Sequence, residues 1–171
     1  MSKVSNALQG HWLRVVNTDA VHQRIHEGAF FTTSFTDPVL GAAASLDLLI
    51  QVPADTGVHV RIHGSAGGEA VAELFENTTF TVAGAAVAMN NRNRFSPLVS
   101  PITVTSGPTL TLPGDLLVSE IVGPKAGGAL GLFEEWILAP GTYLARLTNT
   151  APQAQAAALQ FDFYDGSRVV L

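Results

Sequence analysis

At 171 residues the chain is sized for one domain, or one domain with an arm, and is long enough to bury about 70% of the surface its unfolded form exposes. Charged residues make up only 13% against a globular norm of about 25%, hydrophobic residues reach 47%, and the net charge of -5 argues against a phosphate-neutralising surface and a nucleic-acid partner. With no cysteine there is no disulfide framework, thiolate metal site or cysteine nucleophile, so a metal site is confined to His and carboxylates and the redox compartment stays open.

The N-terminal "MSKVSNALQGHWLRVV" lacks a long apolar signal core, and no run approaches the roughly 18 apolar residues of a bilayer span. A soluble chain without a membrane partner is expected. Residues 1–25 read as an N-terminal arm or peripheral segment, with Trp12, Leu13, Val15 and Val16 suggesting that it docks on something apolar. Residues 26–171 read as one β-sandwich domain. In "VHQRIHEG" (21–28), His22 and His26 have the i, i+4 spacing that pairs imidazoles on a helical face, but a zincin needs Glu where Gln23 stands.

From residue 45 onward, short apolar or alternating runs are punctuated by Gly, Pro, Asn and Asp, the pattern of an all-β domain. "SLDLLIQVP" (45–53) predicts a strand ending at Pro53. "VHVRIHG" (58–64) alternates strictly, placing Val58, Val60 and Ile62 toward the core and His59, Arg61 and His63 on an exposed polar face. In an extended segment His59 and His63 lie about 13 Å apart, beyond the reach of one metal ion. "EAVAELFENTTFTV" (69–82) gives a third run, with Ala70 and Val71 contesting which parity faces inward.

"AMNNRNRFSP" (88–97) concentrates Arg92 and Arg94 among Asn90, Asn91 and Asn93. Read as extended, it puts both guanidinium groups on one face about 6.6 Å apart, with Asn91 and Asn93 opposite. Such a pair suits carboxylates, carbonyls or phosphates. A solvated loop, a clamp within or between subunits, and a glycan or nucleic-acid contact all fit this pattern.

"SPITVTSGPTLTLPG" (100–114) predicts two Thr-rich strands broken at Gly107 and Pro108, "DLLVSEIVG" (115–123) another, and "GPKAGGALG" (123–131) a loop. "LFEEWILAPGTYLARLTN" (132–149) reads as a hairpin turning at Ala139, Pro140 and Gly141, with Trp136 opposite Leu144 and Glu134 opposite Arg146. "ALQFDFYD" (158–165) points Leu159, Phe161 and Phe163 one way and Gln160, Asp162 and Tyr164 the other. The expected architecture is all-β: a single jelly-roll-like antiparallel sandwich or barrel of about eight strands with an N-terminal arm.

No enzyme site assembles. Glu134 and Glu135 are strand neighbours pointing to opposite faces, no G-x-S-x-G elbow occurs, and "GSAGGEA" lacks the P-loop lysine. The expectation is a non-enzymatic protein with no cofactor and no metal.

Three segments, "HQRIHEGAFFTTSF" (22–35), "AELFENTTFTVAGAAVAMNNRNR" (72–94) and "EEWILAPGTYLARLTN" (134–149), together resemble the head decoration or cement proteins of tailed bacteriophages. The matched positions are Asn91, Arg92, Asn93, Arg94, Glu134, Pro140, Tyr143, Arg146 and Asn149. The resemblance implies a small jelly-roll β-sandwich on the outside of a capsid, often a dimer or trimer, reinforcing junctions between major capsid proteins. The protein would then be made in the host cytoplasm and reside on the virion exterior. A jelly-roll carbohydrate or host-surface binding module is the alternative, and a metal-dependent cupin-like enzyme using His22 and His26 a third reading.

Overall fold

The computed structural model describes residues 20–54, 56–123, 130–131 and 135–165. A short helix α1 (Ala20–His26) precedes β1 (Phe30–Leu40), β2 (Ser45–Val52), β3 (Val58–Ala66) and β4 (Ala70–Glu76). Five short strands follow: β5 (Thr79–Val82), β6 (Ala85–Ala86), β7 (Asn90–Asn91), β8 (Thr103–Ser106) and β9 (Thr109–Leu112). The chain continues through β10 (Asp115–Val122), β11 (Leu130–Gly131), β12 (Trp136–Leu138), β13 (Gly141–Asn149) and β14 (Gln155–Asp165).

These strands form an antiparallel β-sandwich. One sheet runs β11-β3-β14-β1-β7, with β12 also paired to β3; the second runs β10-β4-β13-β2-β8-β6, and β5 with β9 makes a separate ribbon. Neither large sheet closes into a barrel among the described residues. Alternation explains which side chains meet between the sheets, since successive residues of a strand point to opposite faces. From the first sheet come Val58, Val60, Ile62, Phe31, Leu159, Phe161 and Phe163; from the second, Leu46, Leu48, Ile50, Ala72, Leu74, Ala145 and Leu147. All are nearly or fully inaccessible, and Phe31 stacks on Phe163 with ring centroids 5.3 Å apart. At roughly 1.5–3 kcal/mol for each large apolar side chain buried, this layer is the main stabilising element.

Several expectations are met: β2 ends before Pro53, β3 alternates as read, and β8 and β9 break at Gly107 and Pro108. The parity of β4 resolves in favour of Ala70, which is fully buried with Ala72 and Leu74. Others change. Fourteen strands are described instead of about eight, because seven of them are only two to four residues long. Residues 130–131 of the expected loop pair with β3. The long strand β1, not anticipated in the sequence, pairs with β14 over nine positions, as many as β3 does on the other side of β14.

The expected hairpin at 132–149 does not form. Trp136 lies opposite Val60 in the first sheet, while Leu144 lies opposite Leu49 and Phe75 in the second. The reason is in β13 itself: Leu144, Ala145 and Leu147 bury both faces of the strand, and its two edges are filled by β2 and β4. No edge is left for β12, so the chain crosses between sheets at Ala139 and Pro140, where the Tyr143 hydroxyl donates to the Ala139 carbonyl at 3.0 Å. Glu134 lies outside the described residues.

Candidate functional site

The segment with two arginines is a built turn at the lateral edge where β6 and β7 lie. Extended structure stops at Asn91, which pairs with Phe31 of β1. Beyond it, the Asn91 Oδ1 accepts from the Asn93 N–H at 2.9 Å, and the Asn93 Oδ1 accepts from the Phe95 N–H at 3.1 Å. Two successive side-chain turns therefore replace the extended conformation, the competition for backbone groups that Asn characteristically wins. Arg92 and Arg94 do not form a two-pronged extended face.

The asparagines act as the clamp. Asn91, 9% exposed, donates through Nδ2 to the carbonyls of Gly28 (2.7 Å) and Leu98 (3.1 Å), tying the loop to the α1–β1 corner. Asn93 donates to the His26 carbonyl at 3.1 Å. Gly28 completes the fit: its φ is +71°, and a Cβ there would collide with the Ser96 side chain. Arg92 is a lesser latch, its N–H donating to the Phe30 carbonyl at 2.9 Å and its guanidinium lying 5.0 Å from the Phe30 ring centroid. Arg94 is exposed and has no hydrogen bond or ion pair within the described residues.

What this scaffold displays was not legible from charge. Phe95 is 99% exposed and Val99 84%, with Leu98 half exposed beside them. Two clefts flank the loop. One, about 460 Å³, lies between α1 and the loop and is walled by Phe31, Leu98, Val99 and Pro101, with Arg24 and Glu27 at its margin. The other, about 510 Å³, lies toward β6 and β8 and is walled by Val87, Met89, Ile102 and Val104.

Arg146 has a partner, but not one on its own expected hairpin. Its Nε and Nη2 donate to Asp47 Oδ1 and Oδ2 at 2.8 and 2.7 Å, a fork across β13 and β2. The Asp47 bonds first of all raise the Arg146 pKa, against the opposing effect of burial. Asn149, fully buried, donates to the carbonyls of Leu40, Gly41 and Gln153 and accepts from the Ala151 N–H and Gln155 Nε2.

A polar strap lies on the outer face of the first sheet. Glu135 accepts from Arg61 Nη2 at 2.8 Å and from the Tyr164 hydroxyl, and its Oε1 lies 2.6 Å from His59 Nδ1. His59 and Arg61 are thus half-buried and engaged, not a free polar face. Burial pushes the Glu135 pKa up, but the bonds from Tyr164, His59 and Arg61 outweigh it and hold the carboxyl below its ordinary range. A carboxylate held ionised by three partners is a structural tie, not a poised acid. In α1, His22 and His26 meet through their Nε2 atoms at 2.9 Å, and no cluster of three metal-capable groups occurs among the described residues. Trp136 is half-buried, and Tyr143 and Tyr164 are buried, so among described residues no Trp or Tyr offers an exposed stacking platform.

Comparison with protein-family models gives no match. Comparison with the curated proteins gives no match either.

Proposed function

We propose that the chain is a non-enzymatic virion structural protein that binds the outer surface of a phage capsid and stabilises it by bridging major capsid protein subunits. The observation that carries this reading is the placement of exposed apolar side chains at opposite lateral edges of the sandwich. Phe95, Leu98 and Val99 sit beside β7 and β6; Leu116 and Ile121, 53% and 81% exposed, sit on β10, the far edge strand of the second sheet. A bridging protein needs contact surfaces facing different neighbours, whereas a ligand-binding module gathers them around one cavity. The three-segment resemblance to head decoration proteins supplies the assembly.

The mechanism is additive burial. Each copy that covers apolar area on two neighbours contributes free energy that must be given up before those neighbours separate. The carbohydrate-binding alternative has weaker support, because among the described residues the exposed large apolar side chains are aliphatic apart from Phe95. Purified virions test the proposal: the chain should be present at a stoichiometry fixed by the capsid lattice, and undecorated capsids should bind it saturably. Ile121→Asp should weaken that binding at least tenfold without changing the fold. Absence from the particle would remove the reading.

A further inference from the structure

Leu49, Leu144 and Phe75 are cross-strand neighbours on the face of the second sheet turned away from the first, and they are nonetheless 0%, 0% and 9% exposed. The inter-sheet layer cannot cover them, because alternation sends Leu48, Ile50, Leu74 and Ala145 to that layer instead. A second, smaller core therefore lies on the outer face, and the topology identifies its cover. β8 and β10 lie on opposite sides of the sheet, separated by β2, β13 and β4, yet residues 107–114 join them directly through β9. Residues 77–84 run the opposite way through β5, from β4 to β6. The strand spacings to be crossed add up to about 19 Å, within the roughly 26 Å reach of the 107–114 segment, so the β5–β9 ribbon spans the outer face.

We infer that this ribbon is a strap that couples the two lateral edges of the second sheet, so that β6 at one edge and β10 at the other loosen together when it lifts. Its underside is Phe80 and Leu110, cross-strand partners and the half-buried positions of their strands, while Thr79, Thr81, Thr109 and Thr111 face outward and are exposed. Each corner of the ribbon carries one residue of positive φ: Asn77, Gly84, Gly107 and Gly114. The corners also interlock. A Cβ on Gly114 would stand 2.0 Å from the Glu76 carbonyl oxygen, and one on Gly84 2.2 Å from that of Ser106, so the exit of each ribbon strand packs against the entry of the other. The Thr78 hydroxyl donates to the Pro113 carbonyl at 2.6 Å at one end, and the Thr105 hydroxyl donates to the Ala83 carbonyl at the other.

Lifting the ribbon uncovers Leu49, Leu144 and Phe75 and pulls on both edges at once, since only residues 83–84 separate β5 from β6 and only 113–114 separate β9 from β10. Among the described residues β5 and β9 pair only with each other, β6 only with β8, and β10 only with β4. Each edge strand is thus held on one side, and the ribbon, β6 and β10 form one cooperative unit that opens before the inter-sheet core. This coupling is a property of the isolated chain and does not depend on the capsid role proposed above.

Native-state hydrogen exchange of the full chain tests it, with Leu110→Ser to unseat the underside and Gly114→Ala to disturb only the corner at the β10 end. In both variants exchange should rise about tenfold or more at the β10 amides paired with β4, and equally at Val87, whose N–H donates to Val104 at the opposite edge. It should change by less than about twofold at Arg92, bonded to Phe30 at the edge of the first sheet, and at Phe161 in that sheet's interior. In wild-type protein under mild denaturant, Val87 and the β10 amides should share one opening free energy, below that of Phe161, a measurement that needs no variant. A Gly114→Ala effect confined to the β10 end overturns the coupling, as do different opening free energies at the two edges in wild type. Acceleration at Arg92 and Phe161 equal to that at Val87 overturns the strap as a separate unit.

Discussion

Arg146 and Asp47 meet as a two-pronged pair across neighbouring strands 99 positions apart in sequence, with both nitrogen–oxygen distances below 2.9 Å. The side chains are 24% and 15% exposed, so solvent screens the pair only partly. Removing one partner leaves the other half-buried and uncompensated. Asp47→Ala is therefore expected to cost about 2 kcal/mol, and Arg146→Lys about 1 kcal/mol because an ammonium cannot reproduce the fork. Thermal melting of the two variants checks this, at roughly 2–4 °C per kcal/mol for a chain of this size.

Within the NNRNR segment the asparagines, not the arginines, hold the structure. Asn91→Ala leaves the carbonyls of Gly28 and Leu98 without their donor, and should cost about 2–3 kcal/mol. Asn91→Asp should be at least as damaging, since a carboxylate oxygen then faces the two carbonyls. Arg94→Ala is expected within about 0.5 kcal/mol of wild type, and Arg92→Ala within about 1 kcal/mol for loss of the contact with Phe30. Denaturant unfolding ranks them. Equal losses at Asn91 and Arg94 would restore the arginines as the clamp.

These two sites show where the sequence was readable. Val58, Val60 and Ile62 were assignable to the core because strict alternation admits only one buried face. The partner of Arg146 was not, because proximity across Ala139 and Pro140 does not say whether a chain turns back within its sheet or crosses to the other. Buried Leu144, on the outer face between Thr142 and Arg146, marks β13 as a central strand, but which strands fill its two edges is set by pairing with β2 and β4, far away in sequence. β1 escaped notice because Thr32, Thr33, Ser34 and Thr36 blur its alternation and Pro38 interrupts it. The exposure of Phe95 had no local signature, since an aromatic residue in a sequence reads first as core.

Asn149 is the second all-or-none anchor. Its amide joins the ends of β1 and β13 to the turn before β14, through three carbonyl acceptors and two donors, at zero exposure. Neither Ala nor Asp can supply that set, and Asn149→Ala is expected to cost about 3 kcal/mol. Hydrogen exchange should then accelerate at Ala43, whose N–H donates to the Asn149 carbonyl, before it does at Leu48 in the centre of β2. Uniform acceleration at both would instead point to global destabilisation.

The strap around Glu135 predicts a pH signature at both ends of the scale. Burial first, then the hydrogen bond to the Glu135 carboxylate and its charge, push the Tyr164 phenol up to about 12 from an ordinary value of 10.0. A proton bound more tightly in the folded state stabilises it fully below pH 10.0, and that contribution is lost as pH rises from 10.0 toward about 12. The sign reverses for Glu135. Its folded-state pKa lies below the ordinary 4.5, so its contribution is present above that pH and is lost as pH falls through the lowered value. Burial also raises Tyr143, and these are the only two tyrosines, so phenolate absorbance reports both directly. Native protein at pH 10 should show little phenolate, and the signal should appear together with unfolding. Glu135→Gln removes the charge beside Tyr164, so the phenol midpoint should move down toward 10 and stability at pH 7 should fall by about 1 kcal/mol. Half the tyrosine signal ionising at pH 10 in folded wild-type protein would contradict the strap.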